Sequence, residues 1–117
     1  MMLFFMKLKP QPFEMIKKGR KIYELRLFDE KRSLIKIGDG IEFSCTENEG
    51  EKLVVEVVDI LKYPSFTDLY ADLSPLDIGY SEENAHLASH KDMEKYYSLE
   101  EQAKFGVVAI KIKLKKI

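Results

Sequence analysis

Three charged residues, Lys21, Glu24 and Arg26, stand close together in the sequence, and their types could support ligand binding or proton transfer. The planar guanidinium of an arginine suits a phosphate or a carboxylate. A lysine–glutamate pair can transfer a proton when burial shifts its pKa values. The alternative is a structural role, in which Glu24 and Arg26 form an ion pair that holds the fold together. The spacing alone leaves both interpretations open.

The segment from Lys21 to Phe28 alternates in character and predicts a β-strand. Alternation places Ile22, Glu24, Arg26 and Phe28 on one face of this strand. Strict alternation points Lys21 to the opposite face. Its place beside Glu24 and Arg26 therefore requires an irregular start to the strand.

Further basic and aromatic side chains could extend a site around this group. Cations near its edge could contact a phosphate backbone, although lysines at a helix end also favour the helix dipole when simply solvated. Aromatic side chains in the irregular segment could stack on a base or seal that segment onto the sheet. The basic residues are Lys17, Lys18, Arg20, Lys21 and Arg32, and the aromatic residues are Tyr63, Phe66, Tyr70 and Tyr80.

Histidine and cysteine offer weaker signals. His86 and His90 stand four residues apart, a spacing at which two histidines on one helix can bind zinc. No known pattern supplies a third ligand, so we expect no metal site and no cofactor. Cys45 alternates with Ile41 and Phe43 and should point inward, which is typical of a small core residue rather than a nucleophile.

Size and charge limit the kinds of partner. A chain of 117 residues predicts one domain, spanning residues 1–117. The net charge of −1 argues against a protein that holds long nucleic acid by counterion release. Any nucleic-acid site should be a local patch or a pocket for one or a few nucleotides. A lone cysteine suits a reducing compartment. The absence of a signal-peptide core or a membrane-spanning stretch predicts a cytoplasmic protein with no membrane partner.

The order of predicted elements indicates an α+β fold. Strands are expected over residues 3–9, 21–28, 41–46, 52–61 and 107–115, with a short helix after the first strand and a helical insert before the last. Residues 29–32 read as a polar loop. A short helix capped by Ser65 or Thr67 is predicted to run through Tyr70, and further helices are predicted after Ser81 and over residues 92–97. Ser98 with Glu101 predicts a capping box. Helices grouped in this way favour a small, mainly antiparallel β-barrel with short helices attached.

The spacing Gly19, Lys21, Glu24 and Arg26 resembles the signature G-x-K-x-x-E-x-R of the ASCH domain family. The turn Ile37-Gly38-Asp39 resembles the part of that family's pattern that precedes a strand. Its C-terminal signature is resembled by Tyr96-Tyr97, followed by a short helix and the segment from Phe105 to Ile110. The resemblance covers nearly the whole chain. It implies a PUA-like β-barrel whose cleft is lined by the motif and binds RNA or a nucleotide. Arg20 and Tyr63 are further candidate ligand-binding residues beside the three charged residues of the motif.

One bacterial branch of the family is an amidohydrolase that deacylates the modified nucleoside N4-acetylcytidine. In that branch the lysine of the motif activates a threonine nucleophile and a glutamate assists. Lys21 matches this lysine, whereas Glu24 occupies the position of the threonine, and the assisting acid would fall near Glu82 or Glu83. An amidohydrolase, with Lys21 and Glu24 as catalytic residues, is therefore the alternative to a binding domain. A protein-interaction module is a third possibility.

Overall fold

The computed structural model describes residues 1–115, except for the side chain of Glu49. Within that range it contains five β-strands, four α-helices and two short 3-10 helices. The strands are β1 (Leu3–Leu8), β2 (Tyr23–Leu27), β3 (Gly40–Cys45), β4 (Asn48–Tyr63) and β5 (Val107–Leu114). The α-helices are α1 (Pro10–Lys17), α2 (Glu30–Ser33), α3 (Phe66–Asp72) and α4 (Leu99–Phe105), and the 3-10 helices are Ala85–Leu87 and His90–Lys95.

All five strands form one curled sheet in the order β1-β3-β4-β5-β2. The pair β1–β3 is parallel, and the other three pairs are antiparallel. The predicted α+β class with a mainly antiparallel, barrel-like sheet is confirmed, although the sheet is mixed. Strand β5 lies between β4 and β2, so it holds in place the strand that carries Glu24 and Arg26.

The sheet has an apolar core on each side. Because β5 alternates, it contributes Ile110 to one core, together with Phe13 and Phe43, and Ala109 to the other. The second core is covered by the insert between β4 and β5, whose Phe66 is fully buried. Burial of each such large side chain stabilises the fold by about 1.5–3 kcal/mol. These two cores fix β2 and the insert against the same sheet.

Helix caps in the insert follow the predictions. The side chain of Ser65 accepts a hydrogen bond from the Asp68 N–H at the start of α3. Ser98 and Glu101 form the expected capping box at the start of α4. Each of these caps satisfies backbone donors that the helix itself leaves unpaired.

Four local predictions need correction. Residues 29–32, expected to form a loop, include the start of α2, because the Asp29 side chain accepts a hydrogen bond from the Arg32 N–H and caps the helix. The helices expected after Ser81 and over residues 92–97 are instead the two 3-10 helices, since neither stretch repeats apolar residues at helical spacing. The density of Val, Ile and Leu over residues 52–61 predicts a strand that is buried on most of both faces. In β4 the fully buried residues, Val55 and Val57, share one face.

The turn before β3 is held by a buried carboxylate. Asp39 accepts hydrogen bonds from the backbone N–H groups of Met2 and Lys36, both at 2.9 Å. These two bonds outweigh burial and lower the pKa of Asp39. Gly38, next to it, has φ +97°, a conformation that favours glycine. Through the bond from Met2, the predicted Gly38-Asp39 turn thus ties the residue before β1 to the start of β3.

Within residues 1–115, none of the helices combines the length and the apolar character needed to cross a membrane.

Candidate functional site

Glu24 is the centre of the site. Its side chain is almost fully buried, yet both of its oxygens bind cations. Oε1 lies 2.9 Å from Lys21 Nζ, and Oε2 lies 2.7 Å from Arg26 Nε. Lys21, Glu24 and Arg26 are called the charged triad below. The triad carries two positive charges and one negative charge.

Lys21 reaches Glu24 because the chain before β2 is irregular. The N–H groups of Arg20 and Lys21 both point to the Met15 carbonyl, at 2.9 and 3.2 Å. The next two N–H groups, of Ile22 and Tyr23, both donate to the Asp77 carbonyl, at 2.9 and 3.1 Å. Strand alternation therefore starts only at Tyr23, and the irregular start that the sequence required is present.

Gly79 makes room for the Lys21 side chain. A Cβ atom at position 79 would lie 3.1 Å from Lys21 Cδ, closer than ordinary van der Waals contact. The backbone there also has φ +113°, which side chains rarely tolerate. The turn that contains Gly79 thus lies against the Lys21 side chain, and the lack of a Cβ atom there leaves space for it.

Arg26 is fixed by the first strand as well as by Glu24. Its Nη2 donates to the Lys7 carbonyl at 3.0 Å. Burial lowers the pKa of Arg26, but the Glu24 carboxylate and the Tyr97 hydroxyl outweigh that effect, so the pKa is raised. The guanidinium is therefore charged and its plane is held between β2, β1 and the insert.

Glu24 is also charged. Burial by itself would raise its pKa, but the attraction of Lys21 and Arg26 is larger in sum, so the pKa lies below its usual range. The arrangement can present fixed cationic donors to a ligand. It is poorly suited to take up a proton near neutral pH, because a carboxylate with a lowered pKa is a weak base.

The charged triad lies in the wall of an open cleft of about 840 Å³. That volume falls within the range of pockets that hold small organic ligands. The cleft separates the start of α1 from the insert. Its charged wall is formed by the triad and its aromatic wall by Tyr70, Tyr80, Tyr96 and Tyr97.

A second polar group lines the same cleft. The Tyr80 hydroxyl donates to Asp92 Oδ2 at 2.6 Å, and the hydroxyls of Tyr70 and Tyr80 are 2.9 Å apart. Burial, and then the bond to Asp92, raise the pKa of Tyr80. Both effects keep its hydroxyl protonated at neutral pH.

The family model for the ASCH domain matches residues 6–116. The chain belongs to the ASCH domain family. Among solved structures it is similar to the hypothetical protein PH0355, with 35% identity, a TM-score of 0.80, and coverage of 98% of this chain and 100% of that one. It is similar to protein PF0455 from Pyrococcus furiosus, with 33% identity, a TM-score of 0.72 and coverage of 98% and 99%.

An ASCH protein from Zymomonas mobilis shares the fold, with a TM-score of 0.66, at 15% identity. The alignment covers 95% of this chain and 66% of that one. No curated protein matches the chain.

The ASCH domain brings together some of the residues singled out in the sequence and leaves others apart. Lys21, Glu24 and Arg26 meet in the cleft, and Tyr70 and Tyr80 line it. Arg20 is exposed and is not among the residues that line the cleft.

Tyr63 also lies outside the cleft lining. Its hydroxyl donates to Asp72 Oδ2 at 2.6 Å, and burial, with that bond, raises its pKa to about 12. Glu82 and Glu83, considered as assisting acids, are exposed and do not line the cleft. Phe66 is fully buried and stacks on Tyr97 with ring centroids 5.8 Å apart, so it seals the insert.

The remaining candidates of the ASCH domain lie elsewhere. Lys17 is paired with Glu51 at 2.7 Å. Arg32 is paired with Asp29 at 3.1 Å. Lys18 is exposed at the end of α1. His86 and His90 lie on separate 3-10 helices, and His90 Nδ1 is 3.4 Å from the Thr67 hydroxyl. Cys45 is buried in the core, as predicted.

Three residues that shape the cleft were not proposed as site residues from the sequence: Gly79, Asp92 and Tyr97. The dipeptide Tyr96-Tyr97 belongs to the stretch that resembles the C-terminal signature of the ASCH family, so the family pattern is a usable signal for Tyr97. Asp92 offered none, because its partner Tyr80 lies in a turn rather than on a strand or helix of predictable register.

Proposed function

We propose that this ASCH domain binds single-stranded RNA, or a nucleotide, in the cleft beside the charged triad. The observation that supports it most is the position of Lys21 and Arg26. Both cations are held by one carboxylate in the wall of a nucleotide-sized cleft. ASCH domains are generally thought to bind RNA. In this proposal the two cations contact a phosphate or an acceptor atom of the base.

The aromatic wall supports a single-stranded ligand. Unpaired bases stack on tyrosine rings, whereas the bases of a duplex are already stacked on each other. Tyr96 is more than half exposed at the cleft. A net charge of −1 fits a short ligand held locally.

The unpaired, buried thiol of Cys45 supports a reducing, cytoplasmic location.

The proposal can be tested with fluorescence anisotropy on labelled single-stranded RNA of about six nucleotides. We expect Lys21→Met to weaken binding at least about tenfold, because a hydrogen bond to a charged group is lost. Arg26→Lys keeps the charge but loses the planar fork, and we expect a similar loss. Lys52→Ala is the control, since this lysine is exposed on β4 and lies outside the cleft.

Two results would contradict the proposal. The first is RNA binding that is unchanged in both cleft variants while their thermal unfolding matches the wild type. The second is the absence of any binding to RNA or nucleotides by the wild-type protein. Equal weakening by Lys52→Ala would point to unspecific charge attraction instead.

The amidohydrolase alternative is supported less well. Lys21 does line the cleft, and its Nζ lies 2.9 Å from Glu24 Oε1. However, both Glu24 oxygens are engaged by cations and its pKa is lowered, which makes it a weak base and a poor nucleophile. Turnover of N4-acetylcytidine by the wild type that is lost in Glu24→Gln would favour hydrolysis over binding.

A further inference from the structure

Besides the charged triad, the cleft wall carries a continuous chain of hydrogen-bonding groups. Tyr70, Tyr80 and Asp92 all line the cleft. Their oxygens are joined in sequence, at 2.9 Å between the two hydroxyls and at 2.6 Å from Tyr80 to Asp92 Oδ2. These three residues are called the acceptor chain below.

The direction of hydrogen bonding along the acceptor chain follows from proton counting. A phenol has a single hydroxyl hydrogen. Tyr80 donates its hydrogen to Asp92, so it can only accept from Tyr70. Both hydroxyl hydrogens therefore point along the chain towards the carboxylate. These groups can therefore only accept hydrogen bonds from a ligand. The main acceptor is the second carboxylate oxygen, Asp92 Oδ1.

The charged triad and the acceptor chain thus differ in what they offer to a ligand. Lys21 and Arg26 are donors without any accepting capacity. The acceptor chain ends in a carboxylate that is fixed in position by Tyr80. A ligand that satisfies both groups must present an anion or an acceptor to the triad and a donor to Asp92.

We propose that the acceptor chain reads the edge of a nucleobase and selects bases with an exocyclic amino group over uracil. This inference rests on the RNA-binding function proposed above. Cytosine, adenine and guanine each carry an amino group that donates to a carboxylate. Uracil has a carbonyl at the position where cytosine has its amino group, and a carbonyl oxygen facing Asp92 Oδ1 is repelled. The phosphate or the base carbonyl then faces the triad.

A structural role for the acceptor chain makes a different prediction. The chain does tie α3 to the second 3-10 helix, since Tyr70 and Asp92 belong to those two elements. If that tie were its whole function, changing Asp92 would alter stability and leave the choice between bases unchanged. Base preference therefore separates the two roles.

The test compares short oligonucleotides of cytidine and of uridine, which have the same ring size and differ at the base edge. We expect the wild type to bind the cytidine oligonucleotide at least about tenfold more tightly. In Asp92→Asn the amide oxygen can still accept the hydrogen bond from the Tyr80 hydroxyl. The NH2 group of the same amide then faces the cleft in place of Asp92 Oδ1. We expect the preference to be lost or reversed towards uridine.

Glu94→Gln is the matched control. Glu94 is an exposed acid on the same 3-10 helix, and it lies outside the cleft lining. The change in charge is the same, so unspecific repulsion between acid and RNA is altered equally. We expect this variant to keep the wild-type preference. Should Asp92→Asn fail to fold, Tyr80→Phe releases the carboxylate from its anchor and should reduce the preference.

The failures of the two proposals can be told apart. The wild type could bind the cytidine and uridine oligonucleotides equally, with both weakened by Arg26→Lys. This result overturns base selection and leaves the RNA-binding proposal in place. An unchanged preference in both Asp92→Asn and Tyr80→Phe also overturns base selection. Absence of binding to every oligonucleotide overturns both proposals together.

Discussion

Glu24 is a buried carboxylate that remains charged because two cations share it. Removing an ion from water costs several kcal/mol, and the charge is tolerated only when partners with good geometry replace the water. The contacts at 2.9 Å to Lys21 and at 2.7 Å to Arg26 meet that requirement. The same carboxylate fixes both cations in the cleft wall, so its stabilising and positioning roles coincide.

We expect Glu24→Gln to lower the free energy of unfolding by about 3 kcal/mol, since two partly buried cations lose their counter-charge. The folded-state pKa of Glu24 lies below its unfolded value. Its contribution is therefore complete above the unfolded pKa, about 4.3, and is lost as pH falls through the folded value. Denaturant titrations should show the difference between wild type and variant shrinking below about pH 4.

Glu42→Gln provides the control for this measurement. Its partner Lys52 is 3.9 Å away and more than half exposed, so we expect a change below about 1 kcal/mol. A difference between wild type and Glu24→Gln that stays constant down to pH 2 would contradict the assignment. Asp39 also has a lowered pKa, and because it is present in both proteins its effect cancels.

At the residue scale the sequence predicts the site in part. Alternation correctly places Glu24 and Arg26 on the same face of β2. Lys21 could be added only by assuming an irregular strand start, because the N–H groups of Ile22 and Tyr23 bond to the carbonyl of Asp77, far along the chain. Asp92 could not be predicted as a site residue. It lies on a 3-10 helix, which is too short to set up a periodic pattern that would indicate the direction of its side chain.

The turn in the insert that contains Gly79 acts on the site as an element. We expect Gly79→Ala to destabilise the fold by about 1–2 kcal/mol, because of its φ of +113°. We also expect weaker RNA binding, since the added Cβ would lie 3.1 Å from Lys21 Cδ and displace the lysine. Thermal unfolding and RNA anisotropy measure the two effects separately.

Gly38→Ala is the matched control for this turn. Gly38 has a similar φ of +97°, but nothing lies within 4 Å of its added Cβ. We expect a comparable loss of stability with unchanged RNA binding. In a Lys21→Met background Gly79→Ala should have no further effect on binding. If the losses of RNA affinity from the two substitutions add up in the double variant, the turn affects binding independently of Lys21.

Elements with strong local signals were predicted well. The serines that cap α3 and α4 stand directly before apolar or acidic residues of the first turn, and both caps are present. The segment between these helices was predicted poorly. It has few apolar residues at regular spacing, so its 3-10 helices depend on packing against the sheet rather than on local preference.

At the scale of the whole molecule, the net charge of −1 predicts a small electrostatic share in the proposed RNA binding. If two or three phosphates contact the cleft, the logarithm of the RNA association constant should fall with the logarithm of salt concentration with a slope of about −2 or shallower. Anisotropy titrations across a range of salt concentrations measure this slope. A slope several times steeper would indicate an extended surface instead of the cleft.

The mixed sheet illustrates what a single sequence leaves open. Alternation identified most strands, but it does not specify which strands pair. The parallel pairing of β1 with β3 depends on a connection through α1, β2 and α2. Nothing in the apolar pattern of β1 distinguishes a parallel partner from an antiparallel one.

The place of β5 in the sheet has a consequence for how the protein is made. β5 follows every other described element in the chain, yet it pairs with both β4 and β2. During synthesis β2 leaves the ribosome well before β5 exists, so Glu24 and Arg26 remain in water until residues 107–114 emerge. Such distant pairing is slow, on the order of milliseconds to seconds. The charged triad is therefore completed late in folding, and the cleft proposed to bind RNA is complete only after β5 has paired with both of its neighbours.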